Sequence, residues 1–96
     1  MRVTVTIQAT VKSDLYGELE GFLSENLSNV RGFSGALAVS ILFNQETKEF
    51  LIHEEWASQS HHQAYIQAIT QNGVLAQLAS FFEDAPVINY YVKQDI

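Results

Sequence analysis

The sequence predicts an α+β fold with one four-stranded antiparallel sheet, and three observations support this prediction. Residues 3–11 alternate between apolar and polar side chains, with the period of two that marks a strand. Apolar residues recur every three or four positions along residues 14–29, as they do on one face of a helix. Residues 50–65 (FLIHEEWASQSHHQAY) pass from a strand directly into a helix.

The length and the composition predict one small globular domain that spans residues 1–96. Apolar residues make up 47% of the chain and charged residues only 17%, which indicates a folded rather than a disordered chain. Because so small a domain has a large surface to solvate, the low charged fraction also favours a second buried face, and therefore an oligomer.

Charge and residue usage exclude several classes of function. The net charge of −6 opposes binding to nucleic acid or to an anionic membrane. The chain has no cysteine, which excludes disulfides, thiolate metal sites and a cysteine nucleophile. The N-terminus alternates like a strand rather than a signal peptide, and no segment approaches the ~20 apolar residues of a membrane span. We therefore expect a soluble cytoplasmic protein.

The first half of the chain predicts a strand followed by an amphipathic helix. One face of the strand is apolar, whereas threonine and glutamine on the other face suit contact with a second sheet. Ser13 or Asp14 can cap a helix that runs from Asp14 to about Asn29 and ends at Gly32. Within this helix, Gly17 and Gly21 share a face, which could allow another backbone to approach closely.

The second half predicts a hairpin, two helices and a last strand. Residues 36–43 are apolar on both faces, as in a central strand or one covered on both sides, and residues 49–56 return after a polar turn. Helices are expected over residues 58–69, with Ser58 as the cap, and over residues 74–82, followed by a strand over residues 87–93.

The resulting order, β-α-β-β-α(α)-β, is the ferredoxin-like arrangement with helices on one face of the sheet. The other face needs a cover, which a two-fold partner packing sheet against sheet would supply most simply.

The region around Trp56 also carries a family resemblance. A Glu-Glu-Trp strand end precedes a Ser-led helix with His62, Gln63 and Tyr65, and residues 72–75 read Asn-Gly-Val-Leu. Paired phenylalanines and Pro86 then precede a tyrosine-rich last strand, and residues 31–33 read Arg-Gly-Phe. This pattern resembles the antibiotic biosynthesis monooxygenase family of the dimeric α+β barrel superfamily. The resemblance implies a homodimer and cofactor-independent oxygenase chemistry on a small phenol or quinol-like aromatic.

The resemblance also extends to single positions, some of which depart from the family pattern. Trp56 matches a tryptophan that commonly ends the third strand, and Tyr65 matches a position where relatives carry His and haem degraders carry Trp. The asparagine and the iron-ligating histidine of haem degraders fall at Ile7 and near Leu75, so the resemblance implies no haem and no other cofactor. A second histidine that many relatives carry falls near Thr70.

Tyr65 and His62 are the predicted catalytic residues. They lie one helical turn apart, so a phenol that hydrogen-bonds a substrate hydroxyl would stand beside an imidazole that titrates near neutral pH. The alternative is that Tyr65 packs in the core, with its hydroxyl on a backbone carbonyl. Trp56 is predicted as a wall of the substrate site, with simple core packing as the alternative.

Three further residues are predicted to bind substrate, namely Phe81, Asn89 and Tyr91. Tyr90 and Tyr91 must point to opposite faces of the last strand, and the sequence does not fix which of them faces the helices. Glu54 and Glu55 point to opposite faces as well, and are expected as salt-bridge or rim residues.

No metal site is predicted. The adjacent His61 and His62 would diverge by ~100° on a helix, and His53 with Glu55 makes only half a site.

Two functions stay open at this point. The first is a cofactor-independent monooxygenase, and the second is a binding or stress-related module that keeps the fold without oxygenase chemistry. A pocket filled by Phe22, Leu78, Phe81 and Phe82 would favour the module. An open cavity walled by Tyr65 and His62 would favour the enzyme.

Overall fold

Four strands and three helices make up the computed structural model, which describes residues 1–96. In chain order they are β1 (Val3–Thr10), α1 (Tyr16–Arg31), β2 (Ala36–Phe43), β3 (Glu49–Trp56), α2 (Gln59–Gln71), α3 (Val74–Ala79) and β4 (Val87–Tyr91). The strands form one antiparallel sheet in the order β2-β3-β1-β4. This topology confirms the predicted ferredoxin-like α+β fold.

The alternation of β1 and β3 decides which side chains form the core. Val5 pairs with Glu54 on one side and with Tyr90 on the other, so these three residues share the inner face of the sheet. The helices cover that face, and the buried strand residues there are Val3, Val5, Ile7, Val39, Phe50, Ile52, Glu54 and Trp56. Threonine and glutamine of β1 lie on the opposite, outer face, as the sequence predicts.

Helix α1 packs its apolar stripe onto the sheet through Leu19, Phe22, Leu23 and Val30. It begins at Tyr16, two residues later than predicted, and neither Ser13 nor Asp14 caps it. Asp14 instead adopts a left-handed conformation with φ of 65°, which reverses the chain before the helix. Gly32 ends the helix as predicted. Apart from the adjoining residues of α1 itself, no atom lies within 4 Å of the place where a Cβ would stand on Gly17 or Gly21, so no other part of the chain approaches them.

The outer face of the sheet is uncovered in the protomer. Strand β2 lies at the edge of the sheet, so its interpretation as a central strand is wrong. Leu42 on β2 and both Val87 and Tyr91 on β4 are each about half exposed on this face. The apolar second face of β2 therefore has no cover within its own chain.

Helix α2 extends to Gln71, two residues beyond its predicted end, whereas α3 and β4 are shorter than predicted. Ser58 caps α2 as expected, since its side chain accepts a hydrogen bond from the His61 backbone N–H. Helix α3 ends at Ala79, so Phe81 lies in the following turn and Phe82 forms an isolated β-bridge with Val11. Strand β4 ends at Tyr91 rather than at Lys93. None of the three helices combines the length and the apolar character that crossing a membrane requires.

The start of α2 fits closely against the loop before β2. Gly35 has φ of +89°, and its carbonyl accepts a 2.8 Å hydrogen bond from the Ala57 N–H. A Cβ on Gly35 would come far too close to the imidazole of His61. That ring is itself held 2.6 Å from the Ser58 hydroxyl by its Nδ1. Only glycine satisfies both the backbone angle and the available space.

We therefore expect Gly35→Ala to lower the free energy of unfolding by ~2 kcal/mol or more, because it adds backbone strain and a steric clash. Gly17→Ala is the matched control. It lies on an exposed helix position with free space around it, and should raise the free energy of unfolding by up to ~1 kcal/mol. Urea unfolding followed by tryptophan fluorescence measures both values. Equal stability of the Gly35→Ala variant and the wild type would contradict the close fit described here.

Candidate functional site

Three buried polar side chains meet under the first turn of α2. Glu54 and Trp56 are two residues apart on β3, so strand alternation points both toward the helices. His62 follows from the Ser58 cap, which sets the rotation of α2 and turns this side chain inward. Glu54 is 3% exposed, and Trp56 and His62 are not exposed at all.

These side chains form a chain of polar contacts with Tyr90. The Trp56 Nε1–H donates a 2.9 Å hydrogen bond to Oε1 of Glu54. His62 Nε2 lies 3.5 Å from the same oxygen, and His62 Nδ1 lies 2.7 Å from the Tyr90 hydroxyl. A neutral imidazole donates from one nitrogen and accepts at the other, so His62 can link Glu54 and Tyr90 in either direction.

Burial determines the charge of this cluster. Loss of solvation raises the pKa of Glu54, against the opposing effect of the Trp56 hydrogen bond. The same loss of solvation lowers the pKa of His62 from 6.5 to about 4. Burial and the neighbouring Glu54 together raise the pKa of Tyr65 to about 12. Burial therefore works against the charged form of each of these three groups.

A small cavity of about 40 Å³ adjoins the cluster, between α1, the α2–α3 pair and the sheet. Its lining is apolar except for Asn26, Glu54 and Tyr65. The amide of Asn26 already donates to the Phe22 carbonyl at 2.8 Å. Glu54 and Tyr65 are therefore the polar groups best placed to meet a ligand. A volume of this size holds about one to three waters, so an aromatic ring enters only if lining side chains move.

Aromatic rings pack behind the side of the cavity that Glu54 and Tyr65 form. The Tyr65 ring lies 5.4 Å from Trp56 and 5.2 Å from Phe33, measured between ring centroids. Trp56 also packs against the imidazole of His62 at 5.3 Å. These contacts fix the orientation of the Tyr65 ring at the cavity, as edge and tilted aromatic pairs commonly do.

The structure brings together only some of the predicted site residues. Tyr65 lines the cavity, whereas Trp56 and His62 lie behind the wall and do not line it. Phe81 packs on Phe22 with a centroid distance of 5.6 Å, and it does not line the cavity either. The open cavity walled by both Tyr65 and His62 is thus not observed, and Phe22 and Leu78 occupy part of the lining.

Asn89 and Tyr91 require a correction. They pair with Thr6 and Thr4 on the outer face of the sheet, so neither reaches the cavity within its own protomer. Tyr90 pairs with Val5 and is the tyrosine that faces the helices. The sequence could not decide between the two tyrosines, because the pairing of β4 with β1 determines which alternate side chains of β4 face the helices.

Glu54 is the residue that the sequence interpretation missed. It was expected at a salt bridge or rim, yet it is buried and lines the cavity. The signal was present, because Glu54 alternates in phase with Phe50, Ile52 and Trp56, all of which are buried. No group of three His, Asp or Glu side chains is arranged to bind a metal ion.

The buried imidazole predicts a specific pH dependence of stability. Between pH 6.5 and about 4 the unfolded chain binds a proton at His62 that the folded chain does not. His62 therefore makes the free energy of unfolding fall as the pH falls through this window, by about 3 kcal/mol in full. Glu54 opposes this trend, because its raised pKa makes stability fall as the pH rises above 4.5.

Urea unfolding of wild type and His62→Gln at a series of pH values isolates the first effect. We expect the stability of the variant, relative to wild type, to rise as the pH falls from 6.5 to 4. His53→Gln is the control, because His53 is exposed on the outer face. A constant difference between wild type and His62→Gln would show that the imidazole charges freely in the folded protein.

The sequence matches no model of a known protein family and no curated protein. Solved structures, by contrast, match along nearly the whole chain. A conserved protein from Methanosarcina mazei Go1 has a TM-score of 0.86 at 16% identity, over 98% of this chain and 94% of that chain.

Two further structures carry the provisional name antibiotic biosynthesis monooxygenase. The one from Bordetella bronchiseptica has a TM-score of 0.84 at 12% identity, over 97% of both chains. The one from Caulobacter crescentus CB15 has a TM-score of 0.83 at 18% identity, over 98% of this chain and 91% of that chain. Identities this low show a shared fold. The chain therefore has the fold of the antibiotic biosynthesis monooxygenases, as the residues around Trp56 predicted.

Proposed function

We propose that the protein is a cofactor-independent monooxygenase that acts on a small phenol or quinol-like aromatic. The observation that carries the proposal is the cavity, whose apolar lining is interrupted on one side by Glu54 and Tyr65. Such a cavity suits an aromatic ring with one hydroxyl, since the ring meets apolar side chains and the hydroxyl meets the two polar groups. The fold shared with provisionally named monooxygenases supports the same reaction class.

The proposed chemistry begins with removal of the phenolic proton. Glu54 accepts this proton, and its raised pKa makes it a stronger base than an ordinary carboxylate. The Tyr65 hydroxyl donates a hydrogen bond to the substrate oxygen and stabilises the phenolate as it forms. His62 acts from behind Glu54 rather than on the substrate directly.

The phenolate then supplies the electrons that reduce dioxygen. For a phenol with a free para position, one oxygen atom enters the ring to give a quinone and the other leaves as water. The protein contributes orientation of the ring and exclusion of bulk water, which an apolar cavity provides.

The size of the cavity limits the substrate and favours a single ring. Leu27 of α1 and Val74 of α3 both line the cavity and are both partly exposed. Movement of these side chains would open the cavity without disturbing the buried cluster. The same small volume favours a second candidate function, a module that binds a small molecule without oxygenase chemistry.

We further propose that residues 1–96 form one domain of a cytoplasmic homodimer packed sheet against sheet. The uncovered apolar side chains on the outer face support the dimer. The net charge of −6 supports the absence of a nucleic acid partner.

The oxygenase is tested by oxygen uptake of metal-stripped protein with monocyclic phenols that have a free para position, in the presence of a chelator. We expect Tyr65→Phe to lower kcat at least tenfold while the free energy of unfolding changes by less than ~1.5 kcal/mol, the worth of a typical hydrogen bond. Tyr16→Phe is the matched control, because Tyr16 stacks on Phe43 at 4.0 Å and does not line the cavity. Binding of these phenols without oxygen uptake would favour the binding module instead.

The dimer is tested by light scattering at micromolar concentration. We expect a mass of twice the 10.8 kDa chain, and at least tenfold weaker association for Leu42→Lys, which places a charge on the outer face. Gln63→Lys adds the same charge to the exposed surface of α2 and should leave the mass unchanged. The mass of a single chain in the wild type would contradict the dimer.

A further inference from the structure

A row of polar groups runs from the cavity wall toward the edge of the sheet, with one hydrogen bond and one longer polar contact. Glu54 lines the cavity, and its Oε1 lies 3.5 Å from Nε2 of His62. On the other side of the same imidazole, Nδ1 lies 2.7 Å from the hydroxyl of Tyr90. Tyr90 is partly exposed on the edge strand β4, whereas His62 is completely buried.

We propose that Glu54, His62 and Tyr90 form a proton relay that carries the phenolic proton of the substrate from the cavity to solvent. The proposal rests on the proposed function for the source of the proton. It adds the route by which Glu54 is returned to its ionised state after each turnover.

The transfer balances without any co-reactant other than water. In the starting state His62 carries its proton on Nδ1 and donates it to the Tyr90 hydroxyl, while Nε2 faces Glu54 with a free lone pair. Once Glu54 has taken the proton, its O–H bond breaks and an N–H bond forms at Nε2. The Nδ1 proton moves to the Tyr90 oxygen, and the former Tyr90 proton leaves to water. Rotation of the Tyr90 hydroxyl and a half-turn of the imidazole about its Cβ–Cγ bond complete the cycle, because the ring rotation again turns the N–H toward the Tyr90 side and the free nitrogen toward the Glu54 side.

The surroundings of His62 favour an imidazole that passes a proton on rather than one that stays protonated. Nε2 is buried and makes no regular hydrogen bond, so its one polar neighbour is the carboxyl group of Glu54. The titratable groups around the imidazole are Glu54 from β3, Tyr65 from α2 and Tyr90 from β4. Burial keeps the pKa of the imidazole at about 4, so it does not retain a second proton at neutral pH.

Trp56 plays a positioning role in this relay. Indole Nε1–H can only donate, so it holds Oε1 of Glu54 but cannot pass a proton onward. Tyr65 faces the cavity and is placed to meet the substrate. His62 is therefore the group that connects the cavity wall to a partly exposed side chain.

The first test compares oxygen uptake with phenol, which has a free para position, by wild type and by Tyr90→Phe in dilute buffer. We expect kcat to fall at least tenfold with little change in KM, and to recover when imidazole is added as a soluble proton acceptor. Tyr16→Phe should keep wild-type kcat under both conditions. Unchanged kcat in Tyr90→Phe, or a loss that imidazole does not restore, would overturn the relay.

The second test does not depend on turnover, and uses nitrogen NMR of protein labelled at the histidine ring nitrogens. We expect Tyr90→Phe to shift the His62 Nδ1 resonance and Glu54→Gln to shift Nε2, whereas Tyr16→Phe shifts neither. Absence of both shifts would overturn the relay. If the wild type consumes no oxygen but both shifts occur, the oxygenase proposal fails while the hydrogen-bonded route is supported.

Discussion

The buried carboxyl group of Glu54 is the constraint on which the rest of the site depends. Removing a carboxylate from water costs several kcal/mol unless other groups solvate it. Within its own chain, Glu54 finds a hydrogen-bond donor in the Trp56 indole and a polar neighbour in His62, but no lysine or arginine. Because these two side chains must stay in place, the rotation of α2 and the position of its Ser58 cap follow from the same requirement.

The lack of a neighbouring cation gives this cluster its chemical character. A lysine or arginine beside Glu54 would fix the carboxylate in its charged form and lower its basicity. Here burial disfavours the charged forms of both Glu54 and His62, and so works against an ion pair between them. A base that must take up and release protons is better served by this arrangement than by an ion pair.

Periodicity predicted most of the fold because it reports directly on burial. The alternation of β1 and the stripe of α1 need no knowledge of neighbouring elements. Glu54 was missed because a charged side chain is normally expected on the surface. Strand alternation places it on the same buried face as Trp56, and in the structure the alternation determines where it lies. Tyr90 and β2 could not be assigned for a different reason. Which side chains of β4 face inward, and whether β2 lies at the edge of the sheet, both depend on how the strands pair. A single sequence does not encode that pairing locally.

Strand β3 connects the cavity with the uncovered face of the sheet. Glu54 points into the core, and the adjacent Glu55 points outward, where it accepts a 2.8 Å hydrogen bond from the Thr4 hydroxyl and lies 3.6 Å from Arg2. A partner sheet packed on this outer face would restrain the twist of β3 and β1 together. Since Val5 and Glu54 are paired across the same two strands, that restraint would also hold the carboxyl group in register with His62. Dimerisation and the geometry of the site are therefore expected to depend on each other.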